Sequence, residues 1–262
     1  MSLVGFMFDF SQVVHQNLTS LELGDVYTPF TQTLDTKLDA LWTALSAQEI
    51  HLRSLILSRA ANELTDAFLD YLQSYSGLET LSFRGPWAYN DLEYDSAADR
   101  FYRDVLPMHV DSLTKLEIRI VFESRWCFGA HNFHAFQSCR RLRCLWVKIN
   151  HRGLEADPTP YTLDLYADKN LPSKTPFPNS VHLLLKMISG SLPELEKLTV
   201  EPARNPEWAR HRGDGIWLLG ARFCLGIRRR LHASVKSFVT CSSATVGTHV
   251  RDSDVRNWVL FL

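Results

Sequence analysis

Cysteine is scarce in this chain, five in 262 residues, and none stands in a C-x-x-C pair. An odd number without paired spacing argues against the disulfide framework of a small secreted domain and for reduced thiols in a cytoplasmic or nuclear protein. Long apolar runs are lacking too. No segment reaches the roughly 18 uncharged apolar residues that a membrane helix needs. The opening MSLVGFMFDF has no basic n-region and no long apolar stretch, so it does not read as a secretory signal. Gly-rich phosphate loops, H-E-x-x-H, G-x-S-x-G and EF-hand spacings are all missing. Those absences lead to a non-enzymatic reading with no cofactor. Basic residues are few in the first 100 positions, 5 Lys/Arg against 14 Asp/Glu. The balance then reverses, to 13 against 10 over 101–200 and 10 against 5 over 201–262.

What the chain does have is a repeated phrase. LTSLEL (18–23), LRSLIL (52–57), LETLSF (78–83), LTKLEI (113–118), LRCLWV (142–147) and LEKLTV (195–200) each place an apolar residue at positions 1, 4 and 6. A degenerate seventh copy is VKSFVT (235–240). Alternation at 4 and 6 is the period of a strand with one face buried. Helical stripes lie between the phrases: Leu34, Leu38, Leu41 and Leu45; Leu64, Phe68, Leu69 and Leu72; Phe101, Val105 and Met108; Val181, Leu184, Leu185 and Ile188; Ile216, Leu219, Phe223 and Ile227. A helix followed by a short strand cannot bury its apolar face alone, and stacked copies can. The expected fold is therefore α/β, an irregular leucine-rich-repeat solenoid of about six units, horseshoe-like, with parallel strands on the concave face and helices on the convex one. It would occupy residues 1–240, with a Pro-rich loop insertion about 148–180, and residues 241–262 would form a C-terminal tail or partial cap. LVGFMF (3–8) also reads as a strand. Asparagine at the ninth repeat position, which in regular repeats ties successive turns together, occurs once, at Asn150.

The phrases YLQSYSGLETLSFRG and DRFYRDVLPMHVDSLTKLEI resemble the leucine-rich-repeat portion of fungal F-box-type proteins, over roughly residues 15–200. That resemblance implies repeats that recruit a target and an F-box that docks to the adaptor of a cullin ubiquitin ligase. No F-box-like segment precedes Leu18. Two other readings stay beside the interaction module. One is the substrate-recognition part of a ubiquitin ligase adaptor whose F-box is missing from this chain. The other is an incomplete repeat fragment without independent function.

Cys127, His131, His134 and Cys139 have the residue types of a metal site. A helix over 130–139 would set Phe133, Phe136 and Cys139 in a core-facing stripe about 120° wide, with both histidines on the opposite side. Four ligands that do not converge cannot hold tetrahedral zinc, so no metal is expected. The basic clusters RRLR (140–143) and RRR (228–230) fall where a helix ends, where cations complement its dipole. Nucleic acid and membrane are therefore not expected partners.

In a stacked strand ladder, positions 3, 5 and 7 of each phrase face away from the helices. In the middle of the ladder they supply Arg84, Lys115, Glu117, Arg119, Trp146 and Lys148. Trp and Arg dominate binding energy at protein interfaces. These six are the expected partner-binding residues, for a protein that presents acidic groups.

Overall fold

The structure, a computed structural model, describes residues 17–24, 32–58, 64–84, 92–149, 180–203 and 258–261. Each of the six leucine phrases becomes a strand that begins at its third position: β1 (Ser20–Leu23), β2 (Ser54–Ser58), β3 (Thr80–Arg84), β4 (Lys115–Arg119), β5 (Cys144–Ile149) and β6 (Lys197–Pro202). They pair in parallel and in chain order. A last strand, β7 (Trp258–Phe261), lies antiparallel on β6. The result is an α/β protein with an open sheet whose first six strands are all parallel.

Register follows the leucine phrase without a slip. Ser20, Ser54, Thr80, Lys115, Cys144 and Lys197 form one row, and Glu22, Ile56, Ser82, Glu117, Trp146 and Thr199 form the next. A one-residue slip would turn every leucine outward, so the buried face fixes the pairing. Just before each strand the same backbone contact recurs. The carbonyl at position 2 accepts from two consecutive N–H groups of the next phrase: Thr19 from Arg53 and Ser54, Arg53 from Glu79 and Thr80, Glu79 from Thr114 and Lys115, Thr114 from Arg143 and Cys144, and Arg143 from Glu196 and Lys197. Main-chain bonds thus tie neighbouring phrases where a side-chain ladder is missing from the sequence.

Each parallel crossover contains a helix: α1 (Gln32–Ala47), α2 (Asp66–Gln73), α3 (Leu92–Arg100), α4 (Phe133–Gln137) and α5 (Ser180–Ser191). The stripes read from spacing turn inward at Leu38, Leu41 and Leu45, at Phe68, Leu69 and Leu72, and at Leu184, Leu185 and Ile188. Leu64 lies outside α2, which begins one residue after its cap: Thr65 accepts the Phe68 N–H at 3.3 Å. The stripe before β4 differs from expectation. Phe101 and Val105 are buried, but Met108 is 44% exposed, and Leu106 and His109 take the inner positions. Here α3 widens into a π turn over Phe101–Val105 and then tightens into a 3-10 turn over Leu106–His109. Both changes break the 3.6-residue period on which the stripe rests.

The core lies between helices and sheet. It is built from phrase positions 1, 4 and 6 (Leu52, Leu55 and Leu57; Leu78, Leu81 and Phe83; Leu113, Leu116 and Ile118; Leu142, Leu145 and Val147) together with the inner faces of the helices. Trp126, which the leucine pattern does not predict, is fully buried among Phe83, Phe101 and Tyr102. LVGFMF, VKSFVT, the stripe from Ile216, Asn150 and nearly all of the Pro-rich insertion lie outside the described residues. β5 continues to Ile149, so Lys148 belongs to the strand and not to the insertion drawn from 148.

Candidate functional site

The strand pleat sends phrase positions 3, 5 and 7 to the face opposite the helices. On β3 and β4 that places Arg84 directly beside Arg119, and Ser82 beside Glu117. On β5, Trp146 stands beside Glu117. Two arginines side by side on adjacent strands repel each other, and Glu117 relieves that repulsion. Its carboxylate accepts from the Ser82 hydroxyl at 2.8 Å, from Arg119 Nη2 at 2.9 Å and from Arg84 Nη2 at 3.4 Å, all on Oε2. Lys115 Nζ lies 3.2 Å from Oε1. Burial would push the Glu117 carboxyl up, but the Ser82 hydrogen bond and the charges of Arg119 and Lys115 outweigh it and hold the group below the ordinary carboxylate range.

The Arg119 guanidinium lies over the Trp146 ring, 3.2 Å from its centre. A cation over an indole face is attracted by the ring quadrupole, by up to about 2 kcal/mol when partly desolvated. Two N–H groups of this pair, Arg119 Nε and Trp146 Nε1, are enclosed and make no hydrogen bond. Lys148 follows Trp146 on β5 and lies 3.4 Å from Glu201, its register partner on β6.

All six expected partner-binding residues therefore lie on one face, on three adjacent strands. They are not equivalent. The Glu117 side chain is 5% exposed and engaged by its own cations, whereas Arg84, Lys115 and Arg119 are 36%, 33% and 27% exposed. Among the described residues, three positive groups around this one enclosed carboxylate leave the cluster an excess of two positive charges, with Glu201 also acting on Arg119. Ser82 was not singled out from sequence. A serine at phrase position 5 gives no signal by itself, and its role follows only from the neighbouring Glu117.

The cysteine and histidine constellation divides as its spacing suggests. Cys127 and Cys139 are both buried, and burial pushes each thiol up to about 12. His131 and His134 are exposed, with His131 Nε2 2.7 Å from the Arg125 carbonyl and His134 Nδ1 beside the Gln137 amide. α4 is shorter than the expected helix over 130–139, because buried Asn132 closes the preceding turn. It accepts the Gly129 N–H and donates to the Cys127 carbonyl, both at 3.0 Å. Next to α4, an open cleft is lined by Asp99, Arg103, Arg125, His131, His134 and Ser138. Its arginines are already matched, Arg103 with Asp104 and Arg125 with Asp99.

No protein-family model, no curated protein and no solved structure matches this chain.

Proposed function

We propose that this chain is a non-enzymatic protein-interaction module, an irregular leucine-rich-repeat solenoid that holds a partner protein on the face of Arg84, Lys115, Arg119 and Trp146. Support for the repeat reading comes from the unslipped register of six phrases and from the position-2 carbonyl contact at every parallel step. The observation that carries the binding assignment is the cluster around Glu117, an excess of two positive charges beside an indole. Such a surface attracts a partner with acidic groups and gives it an aromatic anchor.

The test is affinity capture with wild-type protein beside the double variant Arg84→Glu/Trp146→Ala, both checked for folding by circular dichroism. Arg84 is preferred to Arg119 because it is the more exposed of the two arginines on Glu117. Truncation of an interface Trp or Arg at a hot spot costs about 2 kcal/mol or more, some 30-fold in affinity. A partner held by wild type and lost by the folded variant is the expected result. Identical partner sets from both proteins would place binding elsewhere.

A further inference from the structure

The way Glu117 sits between its cations says more about what can bind. Lys115 and Arg119 occupy phrase positions 3 and 7 of one strand, four residues and about 13 Å apart along the backbone. Their head groups converge on Glu117 from opposite ends: Lys115 on Oε1, Arg119 and Arg84 on Oε2. The carboxylate thus divides the positive excess into two poles, a lysine pole and an arginine pole. With contacts of 3.2 Å and 2.9 Å on either side of a carboxylate, those poles lie at most about 8 Å apart. The lysine pole continues along its row to Lys197, two strands on. The arginine pole is flanked by Trp146.

A compact anion over one pole would leave the other unmatched. Two carboxylates on alternate residues of an extended chain lie on the same side about 6.6 Å apart, which fits within that span. Together they carry two negative charges, one for each pole. We infer that the partner segment is an extended acidic peptide with the pattern acidic-x-acidic. It runs along the β4 direction, with one carboxylate on Lys115 and the other on Arg84 and Arg119. Glu117 is the specificity-determining residue, because it keeps the poles apart. This inference rests on the face being a binding surface, as proposed above.

The test uses full-length chain and a set of labelled eleven-residue peptides on one neutral background, read by fluorescence anisotropy. The set holds two glutamates at spacings of one, two and five, a single glutamate, and a single phosphoserine. Glutamates two apart should bind about tenfold tighter than the other spacings and tighter than phosphoserine. Lys115→Ala should reduce that peptide to the level of the single-glutamate peptide, as should Arg84→Ala, and both positions are exposed enough to leave the fold intact. Glu117→Gln should erase the spacing preference. Equal binding at all spacings, or tighter binding of phosphoserine, would overturn the inference. So would a complete lack of peptide binding, and in that case affinity capture with the Arg84→Glu/Trp146→Ala variant still decides whether the face binds protein at all.

Discussion

Glu117 shows how much of this surface depends on one residue. Its carboxylate is enclosed and accepts charge-assisted hydrogen bonds from two arginines and one from the Ser82 hydroxyl. Glu117→Ala leaves Arg84 and Arg119 side by side without a counter-charge. The expected loss is about 2 kcal/mol, measured as a lower urea midpoint at unchanged slope. His109 provides a second test at this scale. It is buried against Tyr75 with Nε2 3.0 Å from the Leu72 carbonyl, and burial lowers its pKa from 6.5 to about 4. The unfolded chain therefore takes up a proton near pH 6.5 that the folded chain refuses until about pH 4. Stability is lost as pH falls through that window, by about 2 kcal/mol between pH 7.5 and pH 5. Urea titrations at the two pH values should show that loss, and His109→Gln, which does not titrate, should remove most of it. The pairing of Glu117 with Lys115 and Arg119, two residues to either side on its own strand, was legible in the sequence. The Ser82 hydroxyl that completes its shell and the Leu72 carbonyl that holds His109 lie 35 or more positions away and were not.

At the scale of elements, apolar spacing is enough where the helix keeps its period. Leu38, Leu41 and Leu45 in α1, and Phe68, Leu69 and Leu72 in α2, are buried as their spacing demands. It fails at Met108, because the π turn and the Pro107-containing 3-10 turn re-aim the side chains, and the sequence carries no clear mark of the π turn. Caps are easier to test than to foresee. Thr65 accepts the Phe68 N–H at the start of α2 and donates to the Asp39 carboxylate of α1, so it joins two neighbouring helices. Thr65→Ala should cost about 1 kcal/mol, and thermal unfolding should show the drop. Thr65→Ser should recover most of it. Full recovery by Thr65→Val instead would assign the effect to packing of the methyl group.

For the molecule as a whole, the strand order and the face carrying Arg84, Lys115, Arg119 and Trp146 were legible because one phrase repeats with leucine in the same places. Alignment of the phrases was already alignment of the strands. The residues that fill the remaining space, such as Trp126 and Asn132, were not legible because they sit in crossovers that do not repeat. A stack of units that contact mainly their neighbours is held at each step by one interface. Under the proposed solenoid, a cavity made in the middle should loosen both sides. Leu116→Ala in β4 removes a fully buried side chain, and it should cost about 3 kcal/mol. Hydrogen exchange should then show lost protection in β3 and β5 as well as in β4. Loss confined to β4 would contradict neighbour-coupled stacking.

The most direct test of the binding account is site-specific photo-crosslinking from the two sides of the sheet. Thr80→benzoylphenylalanine puts the reactive group on the strand face, in the same row as Lys115. Ser46→benzoylphenylalanine puts it on the exposed side of α1. Irradiation in the presence of the captured partner should give an adduct from position 80 and none from position 46. An adduct from position 46 alone would move the binding surface to the helices and contradict the account.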